Sequence, residues 1–167
     1  MVSLSFEELA LPLLDRLYNF AHWLTQDRVE AEDLVQETFA KALKGFSSFQ
    51  QGTNFRAWIY RILRNTFLTS RTGLKAAAPV ELEEEMLPAS NETPESILLE
   101  RLDQEQVRRA LEELPVAYRE ILLLCEVEEM SYTEISSTLA IPMGTVMSRL
   151  SRARRALREL VRGPGRS

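Results

Sequence analysis

Apolar residues recur at helical spacing along most of the chain, and no stretch shows the sustained alternation that a half-buried strand needs. Leu13, Leu14, Leu17, Phe20, Ala21 and Leu24 predict a first helix from about Pro12, a good first-turn residue, to about Thr25. Asp27 followed by Glu30 has the form of a capping box, opening a second helix that Gly45 closes and that buries Leu34, Phe39, Ala42 and Leu43. After Gly52-Thr53-Asn54, a third helix carries Phe55, Trp58, Ile59, Ile62 and Leu63 to about Arg71. The period is then lost from Thr72 to Thr93, where Pro79, Pro88 and a run of glutamates predict a linker of about 20 residues, too long for an ordinary connection inside one domain.

Helical signals resume at Thr93-Pro94, a cap followed by a first helical residue, and run to Leu114; Pro115 opens another helix over Val116–Val127. Ser131-Tyr132-Thr133-Glu134 forms a second capping box, before a short helix to Leu139 that Ala140-Ile141-Pro142 breaks. A long helix from about Met143 to about Arg162 follows, with Val146, Leu150, Ala153, Leu157 and Leu160 on one stripe. A short helix, a tight turn and an arginine-rich helix have the layout of a helix-turn-helix. The expected fold is therefore all-α: two small helical domains, residues 1–74 and 94–167, joined by a flexible acidic linker over 75–93.

Charge changes this picture when it is divided along the chain. The net value is only −5, yet residues 44–78 and 145–167 each carry +6, while 1–43, 79–100 and 101–144 carry −5, −7 and −5. Net acidity argues against nucleic acid as a partner, but binding follows local potential, and two basic blocks reopen the question. In the C-terminal block, Thr145, Ser148, Arg149, Arg152 and Arg155 fall off the apolar stripe, where arginine can pair guanine bidentately and hydroxyls can take phosphates or base edges. A solvated basic helix in a bundle is the plain alternative; the capping box and the proline-containing turn favour DNA. The other block interleaves Arg56, Arg61 and Arg64 with Phe55, Trp58, Tyr60 and Phe67, a mixture that suits single-stranded DNA. Most of those rings also match a buried helix face. Arg56, Arg61, Arg64 and Tyr60 are expected outside.

Asp33, Gln36 and Glu37 lie within about one helical turn and can present an acidic patch to a basic partner; as a pattern alone, this is equally an ordinary solvated face. Enzymatic chemistry finds no support. The chain has one histidine, His22, and one cysteine, Cys125, with no glycine-rich phosphate loop, nucleophile elbow or metal-spaced ligand set, so no cofactor is called for. Cys125 sits in an apolar run, which favours an inert thiol over a redox sensor. The apolar runs are too short to span a bilayer, and the N-terminus lacks the pattern of a signal peptide, so no membrane insertion and a cytoplasmic location are expected.

Ala31-Glu32-Asp33-Leu34-Val35-Gln36-Glu37-Thr38-Phe39 and Phe55-Arg56-Ala57-Trp58-Ile59-Tyr60-Arg61-Ile62-Leu63-Arg64-Asn65-Thr66 resemble region 2 of bacterial RNA polymerase sigma factors. Ala110-Leu111-Glu112-Glu113-Leu114-Pro115, Tyr132-Thr133-Glu134-Ile135 and Ile141-Pro142-Met143-Gly144-Thr145-Val146-Met147-Ser148-Arg149-Leu150 resemble region 4. With those two regions and a linker, the chain is similar to the extracytoplasmic-function (ECF, group 4) subfamily. That resemblance implies that Asp33, Gln36 and Glu37 bind the coiled coil of the polymerase β′ subunit, with the β flap as a further contact. It also implies that Arg56, Tyr60, Arg61, Arg64, Asn65, Thr66 and Phe67 open and read the −10 element as single strand. The helix-turn-helix would read the −35 element as duplex, the linker would thread through the polymerase near the RNA path, and an anti-sigma factor would regulate the protein. The run Asn65-Thr66-Phe67 departs from the acidic residue and paired arginines of many members and is similar to members controlled by zinc-containing anti-sigma proteins. The acidic segments would weaken free DNA binding until polymerase positions both domains. A stand-alone helix-turn-helix regulator is the alternative, and a sigma mimic that sequesters an anti-sigma is a third.

Overall fold

The structure, a computed structural model, describes residues 3–72 and 104–162; the expected linker and the start of the helix at Pro94 lie outside them. All the regular structure among the described residues is helical. Helix α1 (Phe6–Ala10) passes through a 3₁₀ turn into α2 (Leu14–Thr25), followed by α3 (Arg28–Gly45) and α4 (Phe55–Thr72). The later elements are α5 (Gln104–Glu113), α6 (Val116–Leu122) with a π-helical turn at Leu123–Val127, α7 (Tyr132–Leu139) and α8 (Met143–Arg162). They form two compact units, the first taking α1–α4 with Thr133–Ala140 and the second the rest.

In the first unit α2 lies along α3, and α3 along α4. Leu17, Phe20, Leu24, Leu34, Val35, Ile59, Tyr60 and Leu63 are buried there. Phe6 meets Phe39, Phe46 and Phe55 edge-on, with ring centroids 5.5–6.2 Å apart, and Phe49 and Trp58 extend the cluster. These aromatic contacts fix the start of α4, and Asn54 Oδ1 caps it by accepting from the Ala57 amide at 3.1 Å. Helix α1 was not expected, although Ser5 and Glu8 form a complete capping box at its start.

The second unit packs α5 and α6 against α8. Ala110, Leu114, Ala117, Ile121 and Leu124 are buried there, as are Val146, Leu150, Ala153 and Leu157. Buried Arg119 donates to the Leu114 carbonyl at 3.2 Å, satisfying an acceptor at the end of α5.

Three expectations need correction. Pro12 lies in the 3₁₀ turn rather than in α2. Asp27 caps α3 through the Val29 and Glu30 amides, but the Glu30 carboxylate accepts from Arg71 Nη2 at 3.1 Å instead of completing a box. Leu43 and Leu160 are exposed: Leu43 is turned about 100° from buried Ala42, off the stripe of its helix, and Leu160 lies past Leu157, the last buried residue of its own.

Candidate nucleic-acid and polymerase interface

Helix α3 divides its side chains cleanly. Ala31, Leu34, Val35, Thr38 and Ala42 face the core, which turns Glu32, Asp33, Gln36 and Glu37 to the surface. Asp33 and Glu37 line a pocket of about 260 Å³ together with Thr25, Glu30, Leu34, Ser70 and Arg71. Two residues of the strip, Asp33 and Glu37, therefore border a concavity whose lining also includes apolar Leu34. Glu30 and Arg71, also in its lining, form an ion pair that ties the start of α3 to the end of α4, while the Arg71 guanidinium sits 5.3 Å from the Phe67 ring centroid. In the sequence Glu30 reads as a capping residue and Arg71 as a helix end, neither as part of this surface. Spacing within one helix does not reveal a pairing across 41 residues.

Helix α4 brings Arg61, Arg64 and Asn65 together on one side, three and four residues apart; Arg61 and Asn65 are exposed, and Arg56 and Arg64 are half-buried. Three of the other expected residues turn inward. Tyr60 is 0% exposed, with its ring 5.3 Å from that of Phe20. Thr66 is buried, donating to the Ile62 carbonyl at 2.7 Å and accepting from Lys41 Nζ at 3.3 Å. Phe67 is buried under Arg71. The expectation that Tyr60 faces outward is thus corrected: it sits three residues before Leu63 and seven before Phe67, so it continues the core stripe. Trp58, read as core, is the one aromatic residue of α4 that keeps part of its surface open.

On α8, Thr145, Ser148, Arg152 and Arg155 are partly exposed, but Arg149 is only 6% exposed. Arg149 lies three residues after Val146 and four before Ala153, both fully buried, so its stem follows the core stripe rather than the outward face. The helix begins immediately after Pro142, whose carbonyl accepts from the Val146 amide at 3.0 Å. Ala140, at φ 55°, makes the left-handed turn that ends α7.

His22 is exposed and stacks on Tyr18, with no cluster of metal-ligating side chains among the described residues. Cys125 is half-buried at the π turn, where Arg154 Nη2 reaches its sulfur at 3.6 Å and Glu126 at 3.1 Å. Burial pushes the thiol pKa up, helped by Glu126 and opposed by Arg154, which is the condition of an inert thiol. No described helix is long and apolar enough to cross a membrane.

Comparison with known proteins gives two family matches in chain order: Sigma-70 region 2 over residues 9–76, and Sigma-70, region 4 over residues 104–157. The ECF RNA polymerase sigma factor SigE of Mycolicibacterium smegmatis is 36% identical over 93% of this chain, which spans 61% of that relative's length. The RNA polymerase sigma factor YlaC of Bacillus subtilis is 31% identical over 93% of this chain and 91% of its own. Among solved structures, the sigma factor RpoE of Bartonella quintana, seen in complex with the anti-sigma factor NepR, is 31% identical. Its TM-score is 0.69, covering 95% of this chain and 98% of that one.

Proposed function

The chain belongs to the ECF family of RNA polymerase sigma factors, and from that premise we propose how its surfaces divide the work of promoter recognition. Sigma factors are specificity subunits rather than catalysts, and that is the role given to this chain. The exposed strip Asp33, Gln36 and Glu37 binds core polymerase at the β′ coiled coil, with a second contact at the β flap. Arg56, Arg61, Arg64 and Asn65 hold the melted −10 strand, while Tyr60, Thr66 and Phe67 support that surface from beneath. Thr145, Ser148, Arg152 and Arg155 meet the −35 duplex, and Arg149 braces the helix that carries them. Residues 1–74 and 94–167 are the working bounds of the two functional parts. The protein acts in the bacterial cytoplasm, where polymerase and promoter DNA are, under an anti-sigma factor.

The observation that carries this reading is the segregation inside the first unit. An exposed acidic strip on α3 and an exposed basic strip on α4 sit on helices packed side by side, so one small body can face a basic protein and a DNA strand at once. Run-off transcription tests it, using core polymerase with and without the chain on a fragmented bacterial genome and sequencing the new 5′ ends. New starts sharing two motifs at fixed spacing are expected. No new starts, with clean duplex binding by the chain alone, would make it a stand-alone regulator; no starts and no DNA binding would point to a protein-sequestering role. Asp33→Arg separates the first two readings, because it abolishes polymerase binding in a sigma factor and leaves DNA binding untouched in a regulator.

A further inference from the structure

Helix α8 opens with an apolar pair that the core does not use. Met143 and Met147 lie one turn apart and are 42% and 54% exposed. A lone exposed methionine needs no explanation, but this pair stands at the start of the arginine-rich helix: Met143 in its first turn, before the first buried residue Val146, and Met147 turned off the buried stripe of Val146, Leu150 and Ala153. Gly144 lies between them on the sequence. A Cβ there would meet nothing within 4 Å, and its backbone is not in the left-handed region, so nothing within the described chain requires glycine at a position where it weakens a helix. A glycine without an internal reason fits the close approach of an outside surface. The charge of that surface is set by the arginines of the same helix that keep surface open, Arg152, Arg155, Arg158 and Arg162, which call for a polyanion. In the major groove of a duplex, the one protruding apolar group on a base edge is the 5-methyl of thymine.

We propose that Met147, with Met143 beside it, reads the methyl group of a thymine in the −35 element. The inference rests on the −35 role given to α8 above. Met147 is a specificity determinant that contributes through an apolar contact, next to the hydrogen-bonding Ser148.

The test is affinity of the holoenzyme for promoter fragments in which each −35 thymine, on either strand, is replaced in turn by uracil, which lacks only the methyl. At one position, uracil is expected to weaken wild-type binding about fourfold, the value of a single methyl-sized apolar contact. Met147→Ala should bind the thymine promoter about as weakly and show no further loss with uracil. Met147 is exposed, so the variant should keep the wild-type melting temperature. Uracil without effect at every position, or an equal loss in Met147→Ala and wild type, would overturn the proposal. A −35 element with no A·T pair would also overturn it. If scrambling the whole −35 element leaves holoenzyme binding unchanged, it is the −35 role of α8 itself that fails.

Discussion

Helices α4 and α8 each carry a basic block, and they distribute residue types in opposite ways. On α4 the aromatic residues that suit base stacking, Tyr60 and Phe67, are inside, and the outward strip is Arg61, Arg64 and Asn65. On α8 an arginine, Arg149, is inside, and a methionine is outside. Residue chemistry alone therefore does not assign a side chain to the surface or the core. What assigns it is angular distance from the apolar stripe, about 100° per residue. Tyr60 and Arg149 both lie at the edge of such a stripe. Tyrosine is drawn in with its ring against Phe20, and arginine follows because its three-methylene stem packs as apolar surface.

The widest gap should separate two adjacent residues of α4. Tyr60→Ala removes a fully buried ring and should cost about 3–5 kcal/mol of stability, as large-to-small core changes do. Arg61→Ala, one residue on and exposed, should change stability by less than about 0.5 kcal/mol while impairing promoter opening. Thermal denaturation with permanganate footprinting of the −10 region reads both effects. A stable Tyr60→Ala protein that fails only in melting would break the comparison, because it would place the ring at the DNA. The parallel pair on α8 should differ less. Arg149→Ala should lower stability by about 1–3 kcal/mol, because it removes a buried side chain whose stem packs along the core stripe. Arg155→Ala should leave the melting temperature alone and reduce the slope of log affinity against log salt by about one phosphate contact. Equal salt slopes for the two variants would mean that Arg149 reaches the backbone after all.

Most of the helical framework was legible in the sequence because its period and caps are local. Tyr132–Leu139 and Met143–Arg162 fall where the capping box, the proline-containing turn and the apolar stripe put them. The short α1 was missed, although Ser5 and Glu8 announce it, because five residues are too few to show a period. The family was legible from ordered motifs in both halves. The facing of individual site residues was less so. Asp33, Gln36 and Glu37 are separated from Leu34 and Val35 by a plain helical pattern, and they do lie outside. Tyr60, Thr66 and Arg149 are decided by Phe20, Lys41 and the breadth of the α8 stripe, and partners such as Phe20 and Lys41 are distant in sequence. Polar residues that bind within the chain look the same in a sequence as polar residues that bind DNA.

The smallest effect concerns a second arginine of α8 that turns toward its own unit. Arg154 bonds Glu126 and reaches the Cys125 sulfur, so part of its charge is used at home rather than on DNA. Its own pKa is raised: burial works against the charge, but the bonds to Glu126 and Tyr132 outweigh it. For Cys125 the balance runs the other way, burial outweighing the nearby guanidinium, and the folded thiol pKa stands above its ordinary value. A raised folded pKa stabilises the fold fully below the unfolded thiol pKa of about 8.5, and that contribution is lost as pH climbs from there toward the folded value. The melting temperature should therefore decline above about pH 8.5 slightly more steeply in wild type than in Cys125→Ala. Alkylation of Cys125 by iodoacetamide in the native protein at neutral pH should be slower than that of free cysteine, since the thiolate is the reacting species. A native thiol that alkylates faster than free cysteine would show that Arg154 governs Cys125 more strongly than burial does, and would make this arginine an activator instead of a structural tie.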